Sequence, residues 1–126
     1  QDKRAPARRL IDAGAVVALA SDFNPGSSMT SNMQWIIQLG VFQMRMTIEE
    51  ALNAATANGA YAIREHENRG SLEPGKFLDL VLCDMTTPAD LVYHVGRNPV
   101  KFVLKKGKVV VSGGRIVRGD RADSSP

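Results

Sequence analysis

The sequence predicts an α/β fold, and three observations carry that expectation. Val16-Val17-Ala18-Leu19-Ala20 is an apolar run without alternation, the pattern of a strand covered on both faces. Helical patterns stand on either side of it, so helix, glycine and buried strand follow one another as half of a βαβ unit. After residue 69 the composition turns from Ala-rich helix to β-branched strands separated by glycines, the signature of a meander.

Taken in order, residues 6–13 predict a short helix, with Pro6 suited to its first turn, Leu10 and Ile11 facing inward and Gly14 ending it. The strand at residues 16–20 then delivers Asp22 to its carboxyl end, where α/β folds collect ligands and catalytic groups. Asn24-Pro25-Gly26-Ser27 after it is loop chemistry. Residues 31–46 are apolar nearly all round, which predicts a helix buried on most sides. Its methionines read as core filling rather than a metal or partner groove.

Thr47-Ile48-Glu49-Glu50 is a capping box and starts the next helix. Behind it Ile48, Ala51, Leu52, Ala55, Gly59, Ala62 and Ile63 recur at helical spacing, a stripe of mostly small residues that lets a helix lie close to its neighbours. Asn58 interrupts the pattern and reads as a loop-tethering amide, outside the site. Residues 64–70 form a charged linker and the one domain boundary. Beyond it, residues 77–83 predict a strand interrupted by Asp79. Thr87-Pro88-Ala89-Asp90 predicts an N-cap, a proline at the first helical position and an acid in the first turn. Residues 100–105, 108–111 and 115–117 predict an antiparallel meander with turns at Lys106-Gly107 and Gly113-Gly114. The tail from Gly119 is polar and expected to be disordered; its Arg118-Gly119-Asp120 is too short a motif to imply adhesion.

Composition excludes several classes. Sixteen Lys+Arg against thirteen Asp+Glu give a net charge of +3, and the cations are scattered with few aromatics beside them, so no nucleic-acid partner is expected. No apolar run approaches the ~20 residues of a membrane span, so no membrane partner is expected. A single cysteine, Cys83, makes no internal disulfide and points to a reducing, cytoplasmic setting.

Asp22 is an oxygen donor suited to Zn²⁺ or Fe, but a catalytic zinc takes three protein ligands and an open position. His66 and His94 do not stand at His-x-His or i, i+4 spacing, so the residues alone encode one ligand and no complete metal site.

Two segments carry a family resemblance. Ala20-Ser21-Asp22-Phe23-Asn24-Pro25-Gly26-Ser27 resembles the last barrel strand and following loop of the imidazolonepropionase family within the amidohydrolase superfamily. Gly70-Ser71-Leu72-Glu73-Pro74-Gly75-Lys76-Phe77-Leu78-Asp79-Leu80-Val81-Leu82 is similar to the superfamily's passage from barrel to small β domain. The first motif is nearly specific to the one family; the second is general. Ser21 replaces a common Thr and Leu78 a usual Ala, both conservative changes.

The resemblance implies a fold: the C-terminal part of a metal-dependent (β/α)8 amidohydrolase barrel plus strands of a small β-sandwich. Residues 1–69 would give the last barrel strand and helices, residues 70–117 the C-terminal part of the β domain, and residues 118–126 the tail. A complete barrel needs ~250 residues and this chain has 126, beginning Gln1-Asp2-Lys3, so a portion of a longer protein is expected, inactive by itself.

It also implies chemistry. In the family a His-x-His pair, a further His and an Asp hold one Zn²⁺ or Fe³⁺ per complete site, and only that Asp has a counterpart here, Asp22. Asn24 and Gly26 would contact the substrate ring or the formimidoylglutamate product, and Ser27 the imidazolone propionate. The reaction would be hydrolysis of the cyclic amide 4-imidazolone-5-propanoate to N-formimidoyl-L-glutamate in histidine degradation, with Asp22 both ligand and proton carrier. The partners would be the small-molecule substrate and the remainder of the barrel. Another amidohydrolase, such as a deaminase or cyclic-amide hydrolase, and a non-catalytic fragment that self-associates into a homo-oligomer stay open as alternatives.

Overall fold

The computed structural model describes residues 5–117; the tail from Gly119 and its Arg-Gly-Asp lie outside them. Five helices and four strands follow the order α1 (Ala7–Asp12), α2 (Met33–Met44), α3 (Ile48–Ala55), α4 (Ala57–Ala62), β1 (Leu80–Cys83), α5 (Pro88–Tyr93), β2 (Val100–Lys105), β3 (Lys108–Ser112) and β4 (Arg115–Ile116).

The helix starts rest on side chains that the sequence places there. Asn32 accepts hydrogen bonds from the Gln34 and Trp35 N–H groups at the head of α2. At α3, Thr47 Oγ1 accepts from Glu50 N–H while the Glu50 carboxylate accepts from Thr47 N–H, the reciprocal pair of a capping box. Asp90 accepts from the Thr86 and Thr87 N–H groups ahead of α5. The backbone bonds hold its carboxyl below its ordinary range.

The core lies among the helices, where Ala7, Ile37, Met46, Ala51, Ala54, Leu91 and Val92 form one buried cluster. Ala51 and Ala54 have no exposed surface, so the small-residue face of α3 is where α2 and α5 approach. Gln38 is buried in the same layer and donates to the Leu91 carbonyl at 2.8 Å. The strands form a single antiparallel sheet in sequential order. Both predicted turns hold, with Lys106 and Gly107, then Gly113 and Gly114, all at positive φ, the backbone of tight hairpins. None of the strand residues is fully buried.

Several expectations are corrected. Residues 16–20 run extended but join no ladder, and Val16 is 64% exposed: the residues are apolar enough for a covered strand, but no strand among the described residues pairs with them. Leu10 is 43% exposed, while Ala7 takes the buried position on α1 and Ile11, as expected, packs against the core. The single helix expected over 48–63 is two, broken at Thr56, whose Oγ1 donates back to the Leu52 carbonyl at 2.8 Å. Such back-bonding competes with the helical ladder and bends it. Trp35 and Phe42 keep α2 from being buried on most sides.

The strand expected from Phe77 begins only at Leu80, since Phe77 N–H donates to Asn68 and Asp79 is drawn into an ion cluster. Asp79 pairs with Lys105 and with Arg69 at 3.5 Å, and accepts from Lys106 N–H at 2.9 Å. Lys105 first, then the Lys106 amide, hold its carboxyl below the usual carboxylate range. Beside it the Arg69 and Lys106 cations both lie over the Phe77 ring, 5.5 and 5.0 Å from its centre. Gly70 abuts α4 so closely that a Cβ there would sit 2.6 Å from Ala60 Cβ.

Candidate active site

Gly14, at φ +82°, ends α1 and turns the chain into the extended stretch. Two hydrogen bonds seat that stretch on the helical layer: Leu19 N–H donates to the Ala54 carbonyl at 3.0 Å, and Asn58 Nδ2 donates to the Val17 carbonyl at 2.8 Å. The Leu19 side chain lies over Gly40, where a Cβ would come within 3.0 Å of it. Position is therefore fixed up to residue 19, and the site residues follow immediately.

Asp22 stands at φ +49°. That left-handed conformation is uncommon for a side chain with a Cβ, although Asp and Asn tolerate it best. Its side chain is exposed and its carboxylate has no hydrogen-bond or ion-pair partner among the described residues. A free carboxylate on a constrained backbone suits an oxygen ligand.

The loop beyond it closes on itself. Asn24 N–H donates to the Ser28 carbonyl at 2.9 Å, the one isolated bridge of the segment. Asn24 Oδ1 accepts from Gly26 N–H at 2.9 Å, Ser27 N–H at 2.8 Å and Ser27 Oγ at 3.3 Å. Its Nδ2 donates to the Asp22 carbonyl at 2.7 Å and to Ser27 Oγ at 3.2 Å. Ser28 Oγ donates to the Ser21 carbonyl at 2.6 Å. Asp22, Asn24, Gly26 and Ser27 are thus brought into one turn, with the Asn24 amide engaged at both ends. Ser28 went unremarked in the sequence; only its reach back across seven residues marks it, and no local pattern announces that.

The histidines stand elsewhere. His66 tilts against Tyr61 with ring centres 4.9 Å apart, and His94 meets Tyr93 edge-on. Among the described residues no three His, Cys, Asp or Glu side chains are grouped to hold a metal. Asp22 is also outside two concavities among the described residues, one of about 280 Å³ lined by Trp35, Gln38 and Asn98 and one of about 140 Å³ lined by Val17, Met46 and Asn58. The candidate site is one wall, open to solvent.

A half-exposed apolar segment ending in a free carboxylate, followed by helices and a meander, has a counterpart among known proteins. The amidohydrolase family profile matches residues 1–110, and the chain belongs to that family. Within it, the chain is 51% identical over 114 residues to the imidazolonepropionase of Geobacillus sp. (strain WCH70), covering 90% of this chain and 27% of that protein. It is 44% identical over 117 residues to the imidazolonepropionase of Streptococcus pyogenes serotype M3, covering 93% of this chain and 28% of that protein. The resemblance carried by the Asp22 loop is upheld, and the chain spans under a third of these relatives.

Solved structures agree on the fold. An adenosine deaminase from Xanthomonas campestris with bound zinc superposes with a TM-score of 0.81 at 25% identity, over 94% of this chain and 30% of that one. A variant of the atrazine chlorohydrolase from Arthrobacter aurescens, complexed with zinc and atraton, gives 0.78 at 23% identity over 92% and 29%. The chain has the fold of a portion of an amidohydrolase.

Proposed function

We propose that this chain is the C-terminal portion of an imidazolonepropionase, hydrolysing 4-imidazolone-5-propanoate to N-formimidoyl-L-glutamate in histidine degradation when the rest of the protein is present. The observation that carries the reading is the 51% identity over nine-tenths of the chain, joined to a free carboxylate at the end of the extended stretch. Residues 1–69 belong on this reading to the barrel, and residues 70–117 to a small β-sandwich completed by other parts of the protein. Val81, Leu82 and Ile116, each more than half exposed, supply apolar surface for that completion.

Asp22 fits the single carboxylate ligand of a mononuclear site, and the remaining ligands come from outside this chain. A Zn²⁺ or Fe³⁺ held there supplies Lewis-acid chemistry, acidifying water and polarising the ring carbonyl. Asp22 accepts the water's proton on a carboxylate oxygen as the new C–O bond forms. It then returns that proton to the ring nitrogen as the C–N bond breaks, leaving the carboxylate and the formimidoyl nitrogen of the product. On this reading Asn24, Gly26 and Ser27 contact the substrate from the same turn.

Replacement of Asp22 by Ala in the complete protein tests this. Loss of turnover together with loss of bound metal is expected; near-wild-type activity would overturn the assignment. A panel with adenosine, triazines and 4-imidazolone-5-propanoate separates this reading from a deaminase or another cyclic-amide hydrolase.

A further inference from the structure

Asp22 has a feature that ligation alone does not require: the peptide carbonyls on both of its sides are held by side chains. Ser28 Oγ takes the Ser21 carbonyl at 2.6 Å, and Asn24 Nδ2 takes the Asp22 carbonyl at 2.7 Å. Between these two holds the backbone keeps φ at +49°, a state that persists in a non-glycine residue when its surroundings over-determine it. The Asn24 carboxamide has no capacity left. Its oxygen accepts three hydrogen bonds and its nitrogen donates both protons within the loop, the full complement of a primary amide nitrogen.

We infer that Asn24 and Ser28 are positioning residues that clamp the backbone of Asp22 so that its free carboxylate is aimed before any ligand arrives. The inference rests on the assignment of Asp22 above and deepens it. It gives Ser28 a role, and it gives the side chain of Asn24 a further one, exerted through the Asp22 carbonyl. Outer partners of this kind set the orientation of a ligand and alter metal affinity or activity by ~10–100-fold when removed.

The experiment uses the full-length enzyme, with Asn24→Ala, Asn24→Asp, Ser28→Ala, Ser28→Thr and Asp22→Ala measured side by side. Readouts are kcat, KM and metal affinity by chelator competition. The clamp predicts that Asn24→Ala and Ser28→Ala lower kcat and weaken metal binding, each ~10–100-fold, with KM unchanged in Ser28→Ala, since the Ser28 hydroxyl reaches only the Ser21 carbonyl. Ser28→Thr retains the hydroxyl and restores both. Asn24→Asp keeps acceptance from the Gly26 and Ser27 amides, so the loop folds, yet it loses donation to the Asp22 carbonyl and shows the kcat and metal losses. A raised KM with unchanged kcat and metal affinity places Asn24 on the substrate and overturns the clamp. Wild-type behaviour of the Asn24 and Ser28 variants beside an inactive Asp22→Ala overturns it while leaving Asp22's assignment intact. An active, metal-loaded Asp22→Ala overturns both.

Discussion

Arg8 grips Glu50 with both arms of its guanidinium, Nη1 to Oε2 at 2.8 Å and Nη2 to Oε1 at 3.0 Å, across 42 residues of chain. The same Oε2 accepts from Thr47 N–H at 2.8 Å, so one carboxylate both caps α3 and ties α1 to it. Arg8 first, and the Thr47 amide second, hold the Glu50 carboxyl below its ordinary value of 4.5. A carboxyl lowered on folding contributes stability that is complete above its unfolded value and lost as pH falls through the folded one. Thermal stability followed by circular dichroism is therefore expected to fall on acidification below about pH 4.5. Glu50→Gln should flatten that acid limb; an unchanged limb would exclude Glu50 as its source.

Gly70→Ala tests the joint between the helices and the sheet. The residue sits at φ +97°, and its added Cβ would lie 2.6 Å from Ala60 Cβ and 3.2 Å from the Thr56 carbonyl. Overpacking and left-handed strain act together here, and a loss of ~1–3 kcal/mol is expected in chemical denaturation. Unaltered stability would mean that the joint yields freely.

Asn58→Ala removes the 2.8 Å hydrogen bond to the Val17 carbonyl. About 1 kcal/mol of local stability should go with it, seen as faster hydrogen exchange of Leu19 N–H, whose acceptor is the Ala54 carbonyl. If exchange at Leu19 is unaffected, the segment is seated by its apolar contacts alone.

Leu91 carries α5 into the core and is 7% exposed. Leu91→Ala leaves a void among Ile37, Ala54 and Val92, and should cost ~2–5 kcal/mol. The denaturant midpoint is expected to fall with its slope unchanged.

What could be read in advance was local. The Thr47–Glu50 box, the Thr87-Pro88 helix start and the Lys106-Gly107 turn each lie within a few residues, so residue type alone specifies them. The break at Thr56 was hidden because the alanine stripe continues through it and the competing bond depends on one rotamer of one hydroxyl. Residues 16–20 have a strand's composition, but a ladder is a property of two segments and the described residues bring no second one there. At the site, Asp22 and its loop were legible as a motif. The closure of the Asn24 amide on that loop, and the part taken by Ser28, depend on a left-handed residue that no spacing reveals.

The turn at Lys106 and Gly107 bears on how this polypeptide reaches its final form. It joins β2 to β3 directly, and Gly107 N–H also reaches the Leu78 carbonyl at 2.9 Å. Hairpins so closed assemble in ~1–10 μs, since little chain entropy is lost in bringing their strands together. Residues 16–20, by contrast, pair with no strand among the described residues. Among the described residues the two segments therefore differ in kind: the meander carries its own pairing partners close by in the chain, whereas the stretch bearing Asp22 has none.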